Sequence, residues 1–259
     1  MLKIVTPVSH LFKELNTAND IIAYSDYLEG RDHSPKVYTD KEILFHSDLQ
    51  PIHKLEEYDF ENLVEIKKQR PLLQMVSFHL ASCYKSPKIL NGIFVPNGEK
   101  LNKFQLIENA IYNINRIKNI FGNNVLIAVE NNNYLQTEAY DIVTDAEFIN
   151  EVVTKTDIKF LFDISHAHIS AYNYGMDFEN YVEKLPLTKA IQIHFCKCSY
   201  TDEIAIDSHL CPDYDDFMEL DYFVNKLPDL KYITVEFYRN PQDLVKVLKI
   251  LKKYKNATE

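Results

Sequence analysis

Residues 191–195, IQIHF, decide how this chain is read: Ile191, Ile193 and Phe195 share one face of an extended strand, leaving Gln192 and His194 on the other. The same grammar recurs along the sequence. ILFH ends at His46, MVSFH at His79, LIAVE at Glu130, FLFD at Asp163 and ITVE at Glu236. In 76–80, Ser77 and His79 oppose Val76, Phe78 and Leu80; in 233–237, Thr234 and Glu236 oppose Ile233, Val235 and Phe237. Bulky apolar groups on one side and ionisable groups on the other fit strands whose outer face lies under helices and whose polar face turns toward a common axis. Each run places a metal-ligand type at its carboxyl end, where parallel barrels build their active sites.

Working outward, the spacing predicts strands at about 2–7, 21–25, 43–46, 75–81, 125–131, 159–165, 190–196 and 232–238. Helical periodicity separates several of them. From Asn102 to Phe121 the apolar residues Phe104, Ile107, Ile111, Ile114, Ile117 and Phe121 recur at three- and four-residue steps, and Gly122 fits a left-handed residue after the helix end. A last helix has Asn240 as N-cap and Pro241 at its first position, with Leu244, Val247, Leu248 and Leu251 facing inward. Strands alternating with helices imply the α/β class and a (β/α)8 TIM barrel. A length of 259 residues suits one such unit, so residues 1–259 are expected to form a single barrel domain with a metal site at the carboxyl ends of its strands.

Composition narrows the function classes. A hydrophobic share of 46% with 25% charged residues is that of an ordinary globular protein. The start, MLKIVTPVSH, lacks the apolar h-region of a secretory signal, and no run approaches the ~18 apolar residues of a membrane span. A cytoplasmic location without membrane partners is expected. A net charge of −10 argues against nucleic acid as a partner, although bound cations would alter the local balance. Cys83, Cys196, Cys198 and Cys211 are too sparse and uneven for a disulfide framework and are expected as reduced thiols.

Two further pairs join the strand-end set: Asp163 with His166 in DISH, and Asp207 with His209 in DSH. The candidate ligands are then His46, His79, Glu130, Asp163, His166, His194, Asp207, His209 and Glu236. Isolated buried carboxylates cost several kcal/mol each unless paired or metal-bound, so several converging on one mouth call for cations. Imidazole and carboxylate donors suit iron, manganese or zinc. Carboxylates such as Glu130, Asp163, Asp207 and Glu236 can bridge two ions about 3.5–4 Å apart. His10, His33 and His53 fall outside the pattern, and His168 is expected to play a structural or supporting part. Asn131, Tyr172, Asn173 and Arg239 lie beside the candidate ligands and are expected to contact substrate at the barrel mouth.

The segment from Phe160 to His209, FLFDISHAHISAYNYGMDFENYVEKLPLTKAIQIHFCKCSYTDEIAIDSH, resembles the multinuclear non-haem iron-dependent oxidative enzymes of the xylose-isomerase-like barrel superfamily. Supporting pieces are VSFHLAS around His79, VENNNYL around Glu130, SAYNYG after DISH, LPL before IQIH, and EF at Glu236. The resemblance runs from about residue 70 to 240. It implies two or three iron ions, in ferrous and ferric states, that use O2 to modify a Cys-containing peptide presented by an accessory protein. Glu130, Asp163, His194 and Glu236 would then sit at the reacting centre. The same ligand types in the same order also resemble the class II apurinic endonucleases, which implies a zinc-dependent phosphoesterase as the alternative.

Overall fold

The computed structural model describes residues 1–37 and 39–255. Eight parallel strands close into a barrel: β1 (Lys3–Pro7), β2 (Tyr27–Arg31), β3 (Glu42–Ser47), β4 (Met75–His79), β7 (Leu126–Glu130), β8 (Lys159–Asp163), β9 (Ala190–Phe195) and β12 (Tyr232–Val235). Neighbours follow chain order around the ring, and β1 closes it by pairing with both β2 and β12. Outer residues such as Val76, Phe78, Ile193, Phe195, Ile233 and Val235 are buried in the main core with the helices. Inside the barrel an apolar floor of Val5, Leu44, Met75, Ala128 and Leu161 lies below the polar positions. Above it the strands end in Ser77, Gln192 and Thr234, and then in the histidines and carboxylates, as the period-two alternation requires.

The second strand corrects the sequence expectation. Residues 21–24 belong not to a strand but to the end of helix α1 (Leu15–Tyr24), with Ser25 as its C-cap, and the first turn is capped by the Glu14 carboxylate accepting from Asn16 and Thr17 N–H. Ala18 and Ile21, one turn apart, form its buried stripe, and the apolar pair Ile21–Ile22 extends that helix. The true β2, YLEGR, carries Glu29 and Arg31 into the interior.

Helix α2 (Glu57–Gln69) follows β3, and helix α3 (Lys103–Phe121) packs between α2 and α4 (Ala146–Thr156). Asn102 caps α3, but its buried stripe runs through Leu106, Ile107, Ala110, Asn113, Ile114, Ile117 and Phe121. Phe104 and Ile111 face outward, since the burial arc is centred on Ile107, Ala110 and Ile114. Gly122 adopts φ 72° with ψ −175°, a region essentially restricted to glycine, rather than the left-handed helical conformation. In the last helix, α8 (Pro241–Leu251), Asn240 caps and Leu244, Val247, Leu248 and Leu251 are buried, as the pattern requires.

Two hairpins decorate the mouth. β5 (Lys88–Leu90) and β6 (Ile93–Val95) are joined by Asn91 and Gly92, both at positive φ (52° and 80°), the geometry of a two-residue hairpin turn. After β8, helices α5 (Ile164–Tyr174) and α6 (Phe178–Val182) lead back to β9; then β10 (Lys197–Tyr200) pairs antiparallel with β11 (Ala205–Leu210) ahead of α7 (Tyr214–Lys226). This second hairpin packs on α5 and carries Asp207 and His209 toward the strand ends.

Candidate metal centre

Register brings the strand-end residues together. His79 on β4 is the direct partner of Glu130 on β7, Asp163 on β8 that of His194 on β9, and His46 on β3 that of Ser77 on β4. Glu130 lies at the focus. Its Oε2 is 3.0 Å from His79 Nδ1 and 3.3 Å from His46 Nε2, while Oε1 is 2.8 Å from His194 Nδ1. Helix α5 starts at Asp163, whose Oδ1 accepts from His166 N–H at 2.7 Å, so cap and candidate ligand are one residue. That cap turns the first helical turn so that His166 faces Asp163 and Glu130, with Asp207 Oδ2 3.6 Å from its Nε2. His209 completes the ring: Nδ1 is 3.2 Å from Asp207 Oδ2 and Nε2 is 3.4 Å from Glu236 Oε2. Its φ of 43° is a strained value for a residue with a side chain. All nine candidate ligands therefore stand around one mouth.

Hydrogen bonds fix how these rings present their lone pairs. The Asn131 carbonyl can only accept, so His166 Nδ1 carries the proton at 2.9 Å and Nε2 is left to face the cavity. His194 Nε2 lies 3.2 Å from the Glu29 carboxylate, which sets its N–H there and leaves Nδ1 as the free nitrogen. His46 shares a 2.7 Å hydrogen bond with Ser77 through Nδ1, aiming Nε2 at Glu130.

Charge is crowded and dehydrated. Burial opposes ionisation of Glu130, but His46 and His194 hold its carboxyl well below the usual range; at Glu236, Arg31 and His194 do the same against burial. Burial wins at Asp163 and pushes it up to about 7. His166 and His194 are raised, despite burial, by the surrounding carboxylates, whereas burial and His79 lower His46. Adjacent groups driven in opposite directions are what such a cluster does when protons alone must balance it.

The fit of cations rests on orphaned atoms. Glu130 Oε2, Asp163 Oδ2, His194 Nδ1 and Asp207 Oδ1 are buried without a hydrogen-bond partner, a condition that costs about 1–3 kcal/mol per group. Their donors form compact sets: His46 with His79 and Glu130, Glu130 with Asp163 and His166, and Cys196 with Asp207 and His209, each set lying within 4.8 Å. Nitrogen and oxygen donors of this kind fit first-row divalent ions. Cys196 is the thiol of the group; burial pushes it well above its ordinary value, and its Sγ is 3.4 Å from Ser165 Oγ. All four cysteines are unpaired thiols.

The remaining predicted residues separate into two kinds. Asn131 is fully buried, and its amide is spent on the Asp163 main chain, accepting from N–H at 2.9 Å and donating to C=O at 2.8 Å. Asn173 likewise donates to Tyr134 and Ala205 carbonyls and accepts from Ala205 N–H, tying α5 to the second hairpin. Tyr172, whose hydroxyl donates to Thr201 O, and Arg239, which donates to Ser208 O, stay on the rim. His168 bonds Glu219 at 2.8 Å and stacks on Phe178, away from the cluster. Sequence reasoning missed Glu29 and Arg31, because the glycine and interior charges of YLEGR hide the alternation that would mark it as a strand.

The chain has relatives among known proteins. Residues 40–257 match the family described as RiPP precursor modification enzyme MbnB/TglH/ChrH. The chain belongs to this family. Among curated relatives, the UPF0276 protein of Vibrio parahaemolyticus is 30% identical over 107 residues, 36% of this chain and 37% of that protein. The UPF0276 protein of Vibrio vulnificus is 32% identical over 91 residues, 33% of this chain and 31% of that protein. The matched segment thus spans about a third of the length of these relatives. In fold, the MbnB/TglH/ChrH-family chain is similar to D-psicose 3-epimerase from Clostridium cellulolyticum, with TM-score 0.58 and 9% identity over 98% of this chain and 99% of that one. A candidate xylose isomerase from Rhodospirillum rubrum gives TM-score 0.61 at 11% identity, again over 98% and 99% of the two chains. At such identities the likeness is one of architecture, a xylose-isomerase-like barrel.

Proposed function

We propose that this chain is a multinuclear non-haem iron enzyme that uses O2 to modify cysteine residues of a ribosomally made precursor peptide, its ions held by His46, His79, Glu130, Asp163, His166, His194, Asp207, His209 and Glu236. The carrying observation is the Glu130 carboxylate, which turns one oxygen to His46 and His79 and the other to His194, while Oε2 receives no hydrogen bond. A carboxylate shared in this way is placed to bridge two cations. Membership in the precursor-modifying family supports a peptide as substrate. Bound iron would supply thiol coordination and dioxygen chemistry.

The chain's own part is to shape and dry the site. Glu29 keeps the His194 proton on Nε2, and Asn131 clamps the main chain of Asp163. The peptide would approach from the side of His79 and the β10–β11 hairpin, because the His79, His209 and Asp207 side chains are 25%, 29% and 18% exposed whereas His194 is wholly enclosed. Tyr172 and Arg239 on that rim are placed to meet it, while Asn131 and Asn173 act through main-chain hydrogen bonds. Among the described residues no helix is long and apolar enough to cross a membrane. Delivery of the peptide by an accessory protein belongs to the same proposal.

The test is purification without oxygen, followed by elemental analysis and reaction with a Cys-containing precursor peptide. About two or three irons per chain, a colour change in air, and O2-dependent mass change on the peptide are expected. Colourless protein with tightly held zinc that cleaves an abasic oligonucleotide would replace this reading with the phosphoesterase one.

A further inference from the structure

One buried group of possible ligands differs from the others. Glu29, His194 and Glu236 present donors within 4.8 Å of one another, all in the barrel interior. By composition this is as good a cation site as the rest. Unlike the rest, its carboxylates are already satisfied. Glu29 Oε1 accepts from Arg31 Nη2 at 3.0 Å, and Glu29 Oε2 accepts from Gln192 Nε2 at 2.6 Å and faces His194 Nε2 at 3.2 Å. The same Arg31 Nη2 also donates to Glu236 Oε1, which receives the Tyr238 hydroxyl at 3.2 Å. Gln192 is itself anchored, lying 2.7 Å from Thr234 Oγ1. Partnerless carboxylate and imidazole atoms are found instead on Glu130, Asp163, Asp207 and the Nδ1 side of His194, whereas around Glu29 the partnerless atoms are Arg31 Nε and Gln192 Oε1, neither of them on a carboxylate.

We propose that Arg31 is a built-in cation: its guanidinium takes the place of a metal ion between Glu29 and Glu236, keeps that group free of metal, and confines Glu236 to offering Oε2, the oxygen on the His209 side. This deepens the proposed metal centre by setting which of its anionic pockets is closed. Arg31 is a positioning residue here, acting through Glu236 and, by way of Glu29, through His194. A guanidinium remains charged at any physiological pH, and here its Nη2 reaches both carboxylates, so the closure is permanent rather than titratable. Removing it leaves Glu29 and Glu236 as neighbouring buried anions without their shared cation, a condition that draws in another.

The experiment compares metal content of the full chain with Arg31→Gln, both loaded anaerobically with ferrous iron, desalted and counted by elemental analysis, with circular dichroism to establish folding. Arg31→Gln should hold about one ion per chain more than the parent. Adding Glu29→Gln to Arg31→Gln should abolish the gain, and Arg31→Lys should stay at the parent count. If Arg31→Gln fails to fold, Arg31→Met provides a second neutral side chain of similar length. Equal counts in parent and folded neutral variant overturn the inference, whatever the parent count is. A parent that binds no iron overturns the proposed function instead, since the inference is read only from the difference.

Discussion

His79 Nδ1 and Glu130 Oε2 lie 3.0 Å apart across directly paired positions of β4 and β7, yet that oxygen receives no hydrogen bond. His46 Nε2 approaches the same oxygen at 3.3 Å. Imidazole nitrogens and a carboxylate oxygen gathered without a hydrogen bond on that oxygen make a donor set suited to a cation. Replacing Glu130 by Gln should therefore remove metal while leaving the barrel intact. Elemental analysis is expected to fall by about one ion or more per chain, with an unchanged far-ultraviolet spectrum. Full occupancy in Glu130→Gln would take the residue out of the ligand set.

Stability should depend on the metal. On the proposed metal binding, a cation gives the buried partnerless oxygens their partner, and a ligand that binds the folded state alone at 100 times its Kd adds about 2.7 kcal/mol. Chelation is expected to lower Tm by several degrees and iron to restore it. An unchanged melt would mean that the orphaned atoms find partners without metal.

His166 and His168, two residues apart on α5, should respond differently. His166→Ala is expected to reduce metal content. His168→Ala breaks the Glu219 hydrogen bond and the stacking on Phe178, and should cost about 1 kcal/mol at constant metal count. Loss of metal in both, measured on folded protein, would contradict the division.

Asn131→Ala removes the clamp on Asp163 and strands its buried main-chain N–H and C=O. A loss of about 2–4 kcal/mol is expected in denaturant titrations, together with weaker metal binding. Asn131→Ala with parent stability and lowered peptide affinity would instead make the residue a substrate contact.

The His53 ring is lowered from its usual 6.5 by burial, against the raising effect of the Ser82 carbonyl that its Nε2 bonds at 2.7 Å. A histidine with a depressed folded value contributes stability that is present above 6.5 and is lost as pH falls through that value, because the unfolded chain binds the proton first. His53→Gln should thus be destabilised relative to the parent at pH 8 by about 1 kcal/mol, and the gap should shrink toward pH 5. A gap independent of pH would show that His53 does not titrate between the two states.

Much of the cluster's placement was legible because each strand-end candidate ligand closes an apolar run whose period of two fixes the side it faces. His79, Glu130, His194 and Glu236 could be oriented from their neighbours alone. Glu29 and Arg31 could not, since YLEGR has a glycine and two interior charges where a buried strand is expected to show apolar residues, while IIAYS just before it has strand-like composition but continues the apolar face of α1. Asn131 and Asn173 are expected from the sequence as substrate contacts at the mouth, yet their amides are spent on main-chain partners more than 30 residues away, which no local pattern records. The Asp207 and His209 pair could be named as candidate ligands without revealing the hairpin that carries it, because that hairpin is only partly buried.

The most direct test of the central claim is anomalous diffraction at the iron edge from crystals of anaerobically purified protein. The account predicts at least two iron peaks at the barrel mouth, one on each side of the Glu130 carboxylate, and none between Glu29 and Glu236. Absence of any metal peak near Glu130 in protein supplied with iron would contradict it.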